Sequence, residues 1–316
     1  MHSTTHRAAP RGVQRALAGA LALGVTVALA ACTPSDPLAG DDSGDDMMMG
    51  SVTIGSQGFA ESEILAQIYG QVLESHGYDV SYETAIGSRE TFIPALQDGS
   101  IDLIPDYAGN LLYGADPEAT ATSTEDVIAA LPAVLEPLGL AVTDAAPGED
   151  SDALVVTPEF AAANGLATMS DLAPISADIT IGANTEFEAR WRDALGTVYG
   201  IEGFAFTPID DYGGPATLDA LLTDAVQAAD IYTTTPSIAE NDLVVLEDDL
   251  DMFAAQNIIP LLNADLLSDE LAEILNEVSA LITTDELLAL NGESASDAKP
   301  SAADVATGWL EANGLI

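Results

Sequence analysis

From residue 51 onward, short β-like runs alternate with amphipathic helical stretches, and they do so in two successive blocks. Residues 51–54 read as a strand. Residues 60–75 follow as a helix, with Ile64, Leu65, Ile68, Tyr69, Val72 and Leu73 on one face at 3.6-residue spacing. The first block continues with strands at 79–84, 101–105 and 140–143 and helices at 90–97 and near 124–137. The second has strands at 154–157, 179–182, 204–209, 229–232 and 243–246 and helices at 186–199 and 216–224. After a crossing segment at 253–262 the tail is helical at 269–282, 285–290 and 301–313. Thr283 and Glu286 are spaced as a capping box, and Gly314 is placed as a helix stop. This alternation predicts α/β architecture with parallel-type sheets covered by helices. Two blocks predict two lobes. The tail returns to the first, so the lobes are residues 51–148 plus 254–316 and residues 149–253, with hinges near 146–153 and 246–256.

The first 31 residues obey a different rule. Arg7, Arg11 and Arg15 precede an apolar stretch at 16–31 that is short and Ala-rich for a membrane span, as in a secretory signal. It ends in Leu29-Ala30-Ala31-Cys32, which resembles the bacterial lipobox, with Cys32 as the lipidated residue. Cys32 is the only cysteine, so no disulfide forms within the chain. Residues 32–50 are polar, acidic and Gly-containing and read as a flexible tether. Multiple acyl chains anchor a protein stably. The expected location is therefore extracytoplasmic, at the outer face of a bacterial cell membrane.

Charge narrows the partners. The chain has 52 acidic residues against 7 basic ones, a formal net charge of −45. Nucleic acid is excluded, because a phosphate backbone needs a basic footprint. Beyond the signal only Arg89, Arg190, Arg192 and Lys299 are basic, and a cation kept in so acidic a background is a candidate for a local role. No G-x-S-x-G elbow, H-E-x-x-H helix, Walker loop or cysteine nucleophile is present, so the expectation is a non-enzyme with no cofactor and no metal.

In open α/β sheets, ligands bind beyond the carboxyl ends of the strands. The first strand is followed by Ser56-Gln57-Gly58-Phe59, the second by Gly87-Ser88-Arg89, and the third by Asp106-Tyr107-Ala108-Gly109-Asn110. In the second block, Asn184-Thr185-Glu186 opens a helix, and Asp230-Ile231-Tyr232-Thr233 ends a strand. Helix starts of this kind offer free N–H groups to an anionic oxygen, although for a single loop simple capping explains the residues as well. Each block also delivers a tyrosine from a strand that carries an aspartate, Tyr107 in one and Tyr232 in the other. Two such rings facing across a cleft would bracket a cation.

These segments resemble the substrate-binding proteins of osmoprotectant ABC importers, the OpuC/ProX group for glycine betaine, choline and related quaternary amines. The likeness runs through VTIGSQGFAESEIL (52–65), ALQDGSIDLIPDYAGN (95–110), ADIYTTTPSI (229–238), LVVLEDD (243–249) and FAAQNIIPLL (253–262). It implies a type II periplasmic-binding-protein fold with hinge closure around a ligand, working as a monomer with permease and ATPase subunits. It also implies a tyrosine cage in which Tyr107 and Tyr232 hold the ammonium, with Gln57 as a contact and Arg190 on a carboxylate. Asp152 stands where the family has a cage tyrosine, and Asn110 where it has a threonine. Phe59, Tyr212 and Trp191 are the candidates to complete the cage, and Arg89 is an added polar contact. Ser56, Asp106, Thr185 and Thr233 complete the candidate set. A receptor for a different small solute and a sensor without transport role remain alternative readings.

Overall fold

A computed structural model describes residues 49–316. The signal, Cys32 and all but the end of the tether lie outside the described residues. Ten strands among them are β1 (Ser51–Gly55), β2 (Asp79–Glu83), β3 (Leu103–Tyr107), β4 (Leu140–Val142), β5 (Leu154–Val156), β6 (Thr180–Ala183), β7 (Ala205–Pro208), β8 (Ala228–Asp230), β9 (Val244–Val245) and β10 (Ile258–Asn263). They form two five-stranded sheets, ordered β2-β1-β3-β10-β4 and β7-β6-β8-β5-β9.

Both sheets follow one plan. Three parallel strands come first, with β1 between β2 and β3 and β6 between β7 and β8. An antiparallel strand follows, β10 beside β3 and β5 beside β8. The expected parallel sheets are thus mixed. The antiparallel strand of each enters directly after a chain crossing, and that reversal sets its direction. The segment expected as a simple crossing therefore contains β10, whose Ile258, Ile259, Leu261 and Leu262 are fully buried between β3 and β4. Architecturally, this is the two-lobed α/β arrangement expected from the sequence.

The apolar stripe of the helix Ala60–Ser75 does what its spacing demands. Ile64, Leu65, Ile68, Tyr69, Val72 and Leu73 are buried against β1 and the C-terminal helices, whose Leu271, Ile274, Leu275 and Val278 share the same cluster. The second lobe has its own core around Leu154, Ile181, Phe187 and Trp191. The two crossings lie side by side. Glu149 bridges Asn257, Asp150 N–H donates to Gln256 O at 3.2 Å, and Ile258 N–H donates to Gly148 O at 3.1 Å.

Local signals divide. Gly314 ends the last helix in the left-handed region, as expected. Thr283 accepts from Glu286 N–H, but the capping box is incomplete because the Glu286 carboxylate takes the Trp309 indole N–H at 2.7 Å instead. The stretch expected as a helix over 186–199 is α-helical over Thr185–Ala194 and widens into a π-turn at Leu195–Tyr199.

Candidate functional site

Carboxyl ends of strands from both lobes meet at one cavity, beside the two crossings. Phe59 stands at its centre, on the residue before the helix Ala60–Ser75. Its ring centroid lies 6.0 Å from Tyr107 at the end of β3, 5.5 Å from Tyr212 and 5.9 Å from Tyr232 just after β8. Two rings come from each lobe. Tyr212 is delivered by a turn in which Asp211 caps the helix Pro215–Leu222, accepting from Ala216 N–H at 2.6 Å and Thr217 N–H at 3.2 Å. That turn holds Tyr212 at φ 56°, a backbone region uncommon for a bulky residue and found where surroundings over-determine the conformation.

Polar side chains complete the wall: Gln57, Arg89 and Asn110 from the first lobe, Asp150 and Asp152 from the first crossing, and Glu186 and Arg190 beyond it. All five strand-end loops singled out in the sequence thereby contribute a residue to this one place. The space they enclose is about 20 Å³, and a larger cavity of about 610 Å³ adjoins it, sharing Arg89, Asn110, Glu186 and Arg190.

The two guanidiniums are held by carboxylates. Arg89 Nε and Nη2 donate to Asp106 Oδ2 at 3.1 Å and Oδ1 at 2.5 Å, and Gln57 Nε2 donates to Oδ1 at 3.2 Å. Burial works against the Arg89 charge, yet the Asp106 carboxylate holds its pKa above the ordinary value. Burial pushes the Asp106 carboxyl up, and Arg89 offsets part of that rise. Arg190 reaches Asp152 and Glu186, each at 3.4 Å. Trp191 Nε1 also donates to Asp152, at 3.1 Å.

A second network backs the rings. Glu61 accepts from Tyr107 Oη at 2.8 Å, from Thr234 Oγ1 at 2.7 Å and from Asn291 Nδ2 at 2.6 Å, tying the first-lobe ring to a second-lobe loop. Asp150 accepts from Thr234 N–H at 3.0 Å and Thr233 Oγ1 at 3.3 Å. Burial, reinforced by Glu61, drives the Asp150 carboxyl well above its usual range. Asp230 is driven up likewise, by burial and then by Asp152. Burial also keeps Tyr107 and Tyr232 neutral, with Glu61 and Asp152 respectively adding to the effect. The rings therefore present uncharged π faces beside Asp152 and Glu186, two carboxylates that share the one guanidinium of Arg190. This suits a small organic cation, because ring quadrupoles and carboxylates both attract positive charge.

Comparison with known proteins agrees with this geometry. Residues 50–312 match the model of the OpuAC family, the substrate binding domain of the ABC-type glycine betaine transport system. The chain belongs to the OpuAC family. The glycine-betaine-binding protein of Pseudomonas aeruginosa is 28% identical over 258 residues, covering 76% of this chain and 81% of that one. The glycine betaine-binding protein YehZ of Escherichia coli is 26% identical over 280 residues, covering 82% and 92%. A crystal structure titled glycine betaine/carnitine/choline ABC transporter superposes with a TM-score of 0.68 at 27% identity, covering 84% and 99%. OpuAC proteins are binding components of importers, which work outside the cytoplasm.

Within this OpuAC site, several sequence candidates stand away from the cavity wall. Ser56 is fully buried, and its Oγ accepts from Ala85 N–H at 3.1 Å. Asp106 lies behind Arg89 rather than beside it. Thr185 is exposed and donates from both N and Oγ1 to Asp210 Oδ1. Thr233 supports Asp150 and lines a different surface cavity. Trp191 is buried behind Asp152, edge-on to Phe253 at 5.1 Å, so Phe59 and Tyr212 are the additional rings at the site. Three residues were missed. Asp150 is two positions before Asp152 in the same crossing segment, and both line the cavity. Glu186 is four positions before Arg190 in a helix, a spacing that lets them pair. Glu61 carried no signal beyond its place in the first turn after Phe59.

Proposed function

We propose that this protein is the solute receptor of an ABC importer and captures glycine betaine, choline or a related quaternary amine between its lobes. The observation that carries the reading is Phe59 in ring contact with three tyrosines drawn from both lobes, backed by Asp150, Asp152 and Glu186. Aromatic faces attract a methylated ammonium by up to about 2 kcal/mol each when water is excluded. In this reading Tyr107, Tyr232, Phe59 and Tyr212 surround the cation, while Gln57, Asn110 and an arginine meet the remainder of the ligand. About 20 Å³ cannot admit such a group, whereas small-molecule pockets span roughly 300–1,000 Å³. Capture therefore proceeds by parting and reclosing the lobes, 51–148 plus 254–316 against 149–253, about the paired crossings.

The same reading makes the protein a monomeric binding component rather than an enzyme. It is anchored through a lipidated Cys32 and a tether, and it delivers ligand to a permease driven by an ATPase. Calorimetric titration with glycine betaine and choline tests the central claim. Tyr107→Ala and Tyr232→Ala are each expected to weaken binding by at least about 1 kcal/mol, roughly fivefold. Unchanged affinity in both variants would remove the cage.

A further inference from the structure

We infer that the site selects a net cation over a zwitterion, and that Asp152 sets this preference. The inference rests on the quaternary-amine reading and narrows it. A ligand carboxylate is held best by two donors of one guanidinium, and neither arginine at the cavity has an uncommitted pair to offer: Arg89 keeps only its Nη1 side open, and both terminal nitrogens of Arg190 are engaged. Arg89 is committed through Nε and Nη2 to Asp106, which is 0% exposed and has no water to fall back on. Arg190 lies between Asp152 and Glu186 at 3.4 Å from each, which makes it the looser of the two.

Drawing Arg190 onto a ligand carboxylate leaves Asp152, itself 6% exposed, with Trp191 Nε1 as its remaining donor among the described residues. The exchange replaces one carboxylate on Arg190 by another and adds a negative charge beside Asp152 and Glu186. A ligand without a carboxylate leaves every internal pair intact. Its charge meets a wall on which Asp106 answers Arg89 while two carboxylates, Asp152 and Glu186, share the single guanidinium of Arg190. Among the described residues Asp152 accepts through Oδ2 alone, which leaves Oδ1 for the cation. Choline-like ligands are thus the favoured class, and glycine betaine the disfavoured one.

The test is calorimetric titration of the purified chain with choline and with glycine betaine in one buffer. Choline is expected to bind at least about tenfold more tightly. Asp152→Asn keeps the shape, removes the charge and releases Arg190, so choline should weaken while glycine betaine tightens, moving the ratio by about tenfold. Damage to the fold would weaken both ligands together, and a ratio unchanged in the variant would overturn the role of Asp152. Glycine betaine binding as tightly as choline to the native chain would overturn the preference while leaving the quaternary-amine reading in place. Binding of neither would overturn both.

Discussion

Arg89→Met separates a structural arginine from a ligand-binding one. The substitution keeps most of the apolar stem and removes the guanidinium from a pair whose side chains are 10% and 0% exposed. Asp106 would retain only Gln57 Nε2 at 3.2 Å as a side-chain donor. Removing one partner of a buried ion pair costs about 3–5 kcal/mol, mostly from stranding the other charge. At roughly 2–4 °C per kcal/mol for a chain of this size, the melting temperature should fall by about 6–20 °C. The loss should also depend on pH. Burial already raises the Asp106 carboxyl and Arg89 restrains it, so without Arg89 the folded chain holds a proton that the unfolded chain releases. A group raised in the folded state contributes stability that is full below the unfolded pKa and lost as pH rises through the folded one. The variant should therefore be closer to native at about pH 5 than at about pH 8. Thermal unfolding by circular dichroism at both values measures this. Adding Asp106→Asn should recover much of the loss, because no buried charge then remains unpaired. A single variant that melts with the native protein at both pH values would refute the reasoning.

Two further outcomes are expected. Asp150 and Asp230 are pushed well above their usual range by burial, and Glu61 is raised for the same first reason. The folded chain thus binds more protons than the unfolded one, and the melting temperature should decline from the ordinary carboxylate range toward alkaline pH. Repeating the melts at high salt screens the surface repulsion and isolates the buried groups, and a melting temperature that climbs with pH would contradict the assignment. Gly109 packs where the second crossing passes: an added Cβ would lie 2.7 Å from Ala254 Cβ and 2.7 Å from Ala255 O. Gly109→Ala should destabilise by about 1–3 kcal/mol, read as a lower urea midpoint, and an unchanged midpoint would show that the crossing yields freely.

The legible part of the fold was the part with long periodic signals. The helix Ala60–Ser75 was placed at both ends because six apolar residues recur on one stripe and all are buried. Strand β10 was hidden inside a crossing because Pro260 interrupts an apolar run, and proline argues against a central strand. The structure resolves the conflict by register. Pro260 lies opposite Pro105, so the two missing N–H groups share one rung, and Pro260 O still accepts from Thr143 N–H at 3.3 Å. No single-strand pattern carries that information, since it depends on a partner about 150 residues away in the chain.

The site shows the same division between what one segment encodes and what two segments make together. Tyr107 and Tyr232 were legible because one ends a strand and the other follows a strand end by two residues, and strand ends point to the cleft. The acidic background also made its few cations informative. Of the four basic residues beyond the signal, two, Arg89 and Arg190, line the cavity. Their partners were not legible. Whether an arginine serves a ligand or a neighbour depends on which carboxylate the fold brings within reach, and a chain with 52 acidic residues offers too many choices to decide from spacing alone. Arg89 went to Asp106, 17 positions on and across a strand boundary. Arg190 took one partner from its own helix and one from 38 positions before. The same excess of acid that hid these pairs also shapes their consequence: a guanidinium surrounded by carboxylates is occupied before any ligand arrives, and the charge left over on the wall is negative.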